Sequence, residues 1–132
     1  KFIETLKTKK IKNIKLPVSA PFHCKLMDKA TSIMRDKINN TNFEKPKNVI
    51  ISNVTGSETQ EIDKIKDLLI KQIESPVRWR ESVIYMIKNG VTNFIEIGPG
   101  KVLSGLVKRI DKTINVNTIN KIEDLKNIKL DD

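Results

Sequence analysis

Cysteine and histidine are almost absent from the sequence, which contains one residue of each kind, Cys24 and His23. A single cysteine excludes a disulfide within the chain, and one cysteine with one histidine argues against a structural zinc site. Long hydrophobic runs are missing as well, which excludes a membrane-spanning helix and the apolar core of a secretory signal. We therefore expect no metal, no membrane partner and a reducing, cytoplasmic location.

Aromatic residues are also scarce, at 5% of the 132 residues, and isoleucine and leucine supply most of the apolar residues, so the core is expected to be aliphatic. Arginine occurs only four times, although lysine and arginine together outnumber the acidic residues 25 to 16. The formal net charge of +9 attracts anionic partners. Because recognition of bases and phosphates prefers arginine, this charge indicates diffuse attraction and no nucleic-acid partner. Richness in lysine, isoleucine and asparagine is also typical of an AT-rich genome.

Strand-like and helix-like segments alternate along the chain. The 38% apolar and 31% charged residues are typical of one globular domain. Apolar spacing, β-branched runs and Pro or Gly boundaries predict helices at 1–10, 24–38, 61–73, 79–88, 101–110 and 121–128 and strands at 13–19, 48–54, 93–97 and 114–120. This order predicts an α/β fold with a largely parallel sheet.

The string LPVSAPFHCKLM, residues 16–27, places His23 between a predicted strand and a predicted helix. Loops of this kind build the sites of parallel α/β proteins, and an imidazole there can take a proton if its other nitrogen donates to a fixed acceptor. No nearby residue supplies an orienting carboxylate, so the residues alone leave two interpretations open, a catalytic base or a helix cap. Neighbouring side chains at a helix start point in different directions, which argues against a nucleophilic pair of Cys24 with His23. Cys24 is expected to be buried or semi-buried.

Two further strings carry weaker signals. IGPGK, residues 97–101, stands before a predicted helix, whose N-terminus could attract an anion, but the spacing of a Walker A loop or a dinucleotide fingerprint is absent. A tight structural turn is the favoured interpretation. QIESPVRW, residues 72–79, holds the only tryptophan and indicates a break between two helices with an aromatic anchor.

In this order, the strings LPVSAPFHCKLM, ISNVTG, QIESPVRWRESVIYMIKNGV and FIEIGPGKVLSGLVKRI resemble the C-terminal part of the malonyl-CoA:acyl carrier protein transacylases. They cover most of the chain from residue 16 to residue 110. The resemblance implies a ping-pong transfer in fatty acid biosynthesis. A serine takes the malonyl group from malonyl-CoA and passes it to the phosphopantetheine thiol of acyl carrier protein. It implies no cofactor, because the CoA thioester is a substrate.

The resemblance also implies roles for three residues of this sequence. His23 matches the catalytic base of the family, and Gln72 matches the position whose backbone carbonyl orients that histidine. Phe22 matches a substrate-binding position at which a bulky residue goes with malonyl over α-methylated substrates. A carrier-protein docking patch is expected beside the histidine loop, at Lys9, Lys10, Lys12 and Lys15.

Other parts of the family's active site have no counterpart in the sequence. The GxSxG elbow of the nucleophilic serine is absent, and the arginine that holds the malonyl carboxylate lies upstream in the family. The chain also begins without methionine, inside a helix-like pattern. We therefore expect it to lack the N-terminal half of the enzyme, to be inactive alone, and to expose apolar faces and an unpaired sheet edge.

The family combines a hydrolase-like core with a small ferredoxin-like subdomain. The resemblance therefore implies that residues 1–19 end the small subdomain and that residues 20–132 form the C-terminal part of the α/β core. An alternative is a non-catalytic remnant that binds acyl carrier protein or another acidic partner. A third possibility is a domain of a modular synthase, but the Lys/Asp-rich ending KIEDLKNIKLDD favours a free-standing enzyme.

Overall fold

The computed structural model describes residues 2–14 and 18–127. Its elements in chain order are α1 (Phe2–Thr8), a 3₁₀ turn (Lys25–Met27), α2 (Asp28–Asn40), β1 (Ile50–Ile51), β2 (Glu58–Thr59), α3 (Ile62–Lys71), α4 (Trp79–Lys88), β3 (Asn93–Ile97), α5 (Val102–Ile110), β4 (Asn115–Ile119) and a terminal 3₁₀ segment (Ile122–Asn127). Across these described ranges, every helix is too short or too polar to cross a membrane.

The C-terminal half is built around a parallel β–α–β unit. Strands β3 and β4 pair in parallel from Asn93 opposite Asn115 to Ile97 opposite Ile119, and α5 forms the crossover that a parallel pair requires. Helices α4 and α5 pack together, and Val83 of α4 and Val107 of α5 are buried. The core around them is largely aliphatic and consists of Val83, Val107 and Ile114, with Trp79, Met86, Ile87, Phe94, Ile110 and Val116 packed against it.

The other half combines a short hairpin with two helices. Strands β1 and β2 pair antiparallel, and α2 packs against α3. Helix α3 buries Ile65 and Leu68, whose three-residue spacing places them on one helical face. This arrangement places the end of α3, and the polypeptide that leaves it, beside the loop that precedes α2.

Much of the predicted secondary structure is confirmed, including α4 over residues 79–88 and β3 over residues 93–97. The strand at 13–19 is wrong for the residues that the structure describes there, which are irregular, since no neighbouring strand in the described chain pairs with them. The terminal helix at 121–128 is instead a 3₁₀ segment as far as it is described.

The predicted buried strand at 48–54 is also wrong in length and burial. Only Ile50 and Ile51 are extended, and Val49 and Ile50 are exposed. The chain turns back immediately, because Ser52 and Ser57 close a hairpin that β2 completes. The described strands therefore form two separate pairs, one parallel and one antiparallel, where a single largely parallel sheet was expected.

Apolar side chains are exposed on several described elements, and such exposed apolar faces were expected from the sequence. Ile97 of β3 is 78% exposed, Val102 of α5 72% and Leu26 of the 3₁₀ turn 75%. Within the described part of the chain, β3 pairs only with β4, so its second edge presents unpaired backbone groups.

Candidate active site

His23 adopts a backbone conformation that is unusual for a residue with a side chain. Its φ angle is +59°, in the left-handed region that costs such residues free energy. The loop turns sharply here, with the backbone N–H of Phe22 donating to the carbonyl of Ala20, before the 3₁₀ turn leads into α2. The strained backbone therefore occurs at the residue that the sequence singled out for chemistry.

The imidazole of His23 reaches across the fold to the end of α3. Its Nδ1 lies 2.9 Å from the backbone carbonyl oxygen of Gln72, 49 residues away in sequence. A carbonyl can only accept a hydrogen bond, so Nδ1 carries the proton in this contact. The other ring nitrogen, Nε2, is then left as an acceptor, which is the form that a general base requires.

The carbonyl of Gln72 is available because α3 ends just before it. Gln72 is the C-terminal cap, and the last carbonyls of a helix have no partner within the helix. The N–H of Ile73, in the same peptide group as this carbonyl, donates to Ile70 at 3.3 Å, so that peptide group stays tied to the last turn of α3. The same end of the helix dipole presents partial negative charge to the ring.

The side chain of Gln72 makes a contact that the sequence analysis did not foresee. The amide nitrogen Nδ2 of Asn53 donates to Oε1 of Gln72 at 3.3 Å, and both residues are half-buried. The backbone carbonyl of Asn53 accepts from the N–H of Arg78, at 2.9 Å, just before α4. The string ISNVTG was the only signal for this contact, and it does not identify a partner.

The residues that flank His23 differ in their surroundings. Phe22 is 58% exposed, so its ring is free to contact a substrate or another polypeptide. Cys24 is half-buried, and its Sγ donates to the carbonyl of Pro21 at 3.2 Å. The thiol is therefore held by its own loop, in agreement with the expected semi-buried position.

The GPG turn is a structural turn, and its helix N-terminus is already occupied. Gly98 and Gly100 both have positive φ, at 140° and 92°, which glycine adopts without strain. The carboxylate of Glu96 accepts from the N–H groups of Leu103 and Ser104, at 3.1 and 2.8 Å, and so caps α5. Hydrogen bonding from Ser104 holds the pKa of Glu96 below its ordinary value. These two N–H groups of the helix N-terminus are therefore already occupied by a carboxylate of the chain itself.

The lysines of the predicted docking patch are exposed where the structure describes them. This holds for Lys9, Lys10 and Lys12, whereas Lys15 lies outside the described residues. Among the residues with described positions, no group of three His, Cys, Asp or Glu side chains is placed to hold a metal ion. In the same part of the chain, no hydroxyl is hydrogen-bonded to Nε2 of His23.

No protein-family model matches the sequence, but individual proteins and solved structures are similar to it. Over 113 residues the chain is 45% identical to the malonyl CoA-acyl carrier protein transacylase of Bacillus subtilis (strain 168), a match covering 83% of this chain and 36% of that protein. The crystal structure of an acyl carrier protein S-malonyltransferase from Vibrio cholerae O1 biovar eltor matches with a TM-score of 0.79 at 44% identity, covering 86% of this chain and 37% of that one.

A third match is a structure of a type II PKS acyl-carrier protein in complex with its malonyl-transacylase. It has a TM-score of 0.82 at 34% identity, and the match covers 93% of this chain and 40% of that one. The chain therefore spans well under half the length of these relatives. In sequence and in fold, it is similar to little more than a third of a malonyl CoA-acyl carrier protein transacylase.

Proposed function

We propose that this chain is the histidine-bearing, C-terminal part of a malonyl-CoA:acyl carrier protein transacylase of fatty acid biosynthesis, acting in the cytoplasm. The observation that carries the proposal is the contact between Nδ1 of His23 and the carbonyl of Gln72, which leaves Nε2 free to accept a proton. The similarity to named transacylases supplies the substrates, malonyl-CoA and acyl carrier protein. His23 is the catalytic base, and Gln72 orients it through its backbone.

In the proposed reaction, Nε2 of His23 takes the proton of a serine hydroxyl as the serine oxygen attacks the thioester carbonyl of malonyl-CoA. The C–S bond then breaks, and His23 gives the proton to the departing CoA thiolate. In the second half, Nε2 takes the proton of the phosphopantetheine thiol, whose sulfur attacks the malonyl-serine ester. The C–O bond of the ester then breaks, and His23 returns the proton to the serine oxygen, which restores the starting enzyme.

The nucleophilic serine and the arginine for the malonyl carboxylate belong, in this proposal, to the polypeptide that the relatives have and this chain lacks. The open edge of β3 and the exposed side chains of Ile97 and Val102 support this, since they leave backbone and apolar surface uncovered. The exposed ring of Phe22, next to the base, would border the α-carbon of the malonyl group. The 132-residue chain alone is then inactive.

The carrier protein is proposed to dock on the lysines before the histidine loop. Their exposure and the net charge of +9 support this, as does the solved complex between a related malonyl-transacylase and an acyl-carrier protein. In a chimera where this chain replaces the matching segment of the Bacillus subtilis relative, replacing Lys9, Lys10 and Lys12 by alanine should raise the KM for carrier protein several-fold at low salt and leave malonyl-CoA hydrolysis unchanged. Replacing Lys29, Lys37 and Lys47, which are exposed elsewhere, is the matched control. Equal KM values in both triple variants would remove the docking claim.

The direct test uses a chimera in which this chain replaces the matching segment of the Bacillus subtilis relative. Malonyl transfer to acyl carrier protein is expected in the chimera and should fall by about 10²–10⁴-fold in His23→Ala. Asn42→Ala, at an exposed position, is the matched control and should keep full activity. A folded but inactive chimera, or equal rates with and without His23, would contradict the proposal. Retained binding of carrier protein in an inactive chimera would support the non-catalytic alternative.

A further inference from the structure

Asn53 connects three segments that meet behind the His23 acceptor. Its side chain donates to Oε1 of Gln72, and its backbone carbonyl accepts from the N–H of Arg78. The polypeptide from 72 to 78, which leaves α3 and enters α4, is thus held at both ends by one residue. The first carbonyl of that segment is the one that accepts from Nδ1 of His23.

The turn that carries Asn53 is itself closely held. Ser52 is buried, its N–H donates to Ser57 at 3.0 Å, and its carbonyl accepts from Gly56 at 2.8 Å. Its hydroxyl also accepts from the N–H of Val54, at 3.1 Å. Gly56 has φ +68°, and an added Cβ there would lie 3.1 Å from Cβ of Glu81. Asn53 therefore projects from a turn with little freedom to shift.

We propose that Asn53 is a positioning residue for the catalytic histidine, an inference that rests on the proposed function. Because Gln72 lies at a helix end, the peptide group that carries its carbonyl is tied to α3 by one long hydrogen bond, from the N–H of Ile73 to the carbonyl of Ile70 at 3.3 Å. The Asn53 amide restrains the Gln72 side chain and thereby keeps the carbonyl aimed at Nδ1. Without that restraint the ring loses its fixed partner and samples both neutral tautomers, and only one of them has Nε2 free to accept a proton.

The single histidine makes this inference measurable in the 132-residue chain. Nitrogen-15 NMR of histidine-labelled protein, under conditions where the ring is neutral, reports which ring nitrogen carries the proton. The unaltered chain should show the proton on Nδ1. In Asn53→Ala the two nitrogen signals should move towards each other, because the tautomers then exchange.

Gln72→Met removes the same contact from the other side and keeps the backbone carbonyl, so it should produce the same change. The double variant should add nothing, since both changes remove one interaction. Gln60→Met is the matched control, as Gln60 is the only other glutamine and is half-buried in the same part of the fold. Its spectrum should match that of the unaltered chain. If Asn53→Ala does not fold, Gln72→Met alone decides the question.

The outcomes separate this inference from the proposed function. A proton fixed on Nδ1 in the unaltered chain and in a folded Asn53→Ala or Gln72→Met variant would overturn the role of Asn53 and leave the base assignment intact. A ring without a fixed tautomer in the unaltered chain would overturn the His23–Gln72 geometry and with it the inference. Malonyl transfer by the chimera tests the proposed function independently of both results.

Discussion

The positive φ of His23 predicts that glycine is more stable than alanine at this position, contrary to the usual order. Both substitutions remove the imidazole and its hydrogen bond to Gln72, so that loss cancels in the comparison. What remains is the backbone, which holds φ at +59°. The difference between the two variants therefore measures the strain stored at the proposed base.

Two opposing terms determine the expected difference in the free energy of unfolding between the two variants. A left-handed conformation costs a residue with a Cβ about 1–2 kcal/mol. Glycine loses about 0.5–1 kcal/mol more conformational entropy than alanine on folding. Subtracting the second term from the first leaves the free energy of unfolding of His23→Gly about 0–1.5 kcal/mol higher than that of His23→Ala, measured by urea titration of the 132-residue chain, and the midpoints give about 0.7 kcal/mol.

Position 37 provides the control, because Lys37 is exposed within α2, where the backbone is helical. There Lys37→Ala should be more stable than Lys37→Gly by about 1 kcal/mol, the opposite order. Should His23→Ala prove more stable than His23→Gly, as alanine is at position 37, the backbone strain would be refuted. The view that the fold tolerates a strained loop in order to direct the ring at Gln72 would fall with it.

Three further predictions concern the scaffold. Val83→Ala removes two methyl groups from a fully buried site and should lower the free energy of unfolding by about 1.5–3 kcal/mol, measured by urea titration. Gly56→Ala should be destabilising, since φ is +68° and the new Cβ would crowd Glu81, whereas Gly105→Ala, in helical backbone with open space, should raise the melting temperature. The pKa of Glu96 is lower in the folded chain than its ordinary value of 4.5, so the stability that it contributes is complete above that value and is lost as pH falls through the folded pKa. Glu96→Gln should abolish that part of the pH dependence, and an unchanged pH profile of unfolding would contradict the cap.

The sequence predicted best those elements whose limits are local. Helix α4 begins after Pro76, whose ring restricts the backbone, and ends before Gly90, which adopts the positive φ of a helix end. At the described residues of 13–19 the predicted strand is wrong, because strand formation needs a neighbouring strand and the described chain provides none there. The two-residue strand Glu58–Thr59 was missed because it is too short to show an alternating pattern.

The candidate site was only partly foreseeable for a similar reason. His23 stood out as the single histidine, but its acceptor is a backbone carbonyl, which residue type cannot reveal. Gln72 came from the family resemblance and not from its side chain. Asn53 was unforeseen, since its contacts join segments that only the folded chain brings together.

The most direct test of the central claim is intact-mass spectrometry of the chimera before and after malonyl-CoA. If His23 activates a serine outside this chain, the chimera should gain one malonyl group on the segment from the Bacillus subtilis relative. The gain should be about 10²–10⁴-fold slower in His23→Ala. Labelling of a residue within this chain, or equal labelling rates with and without His23, would contradict the claim.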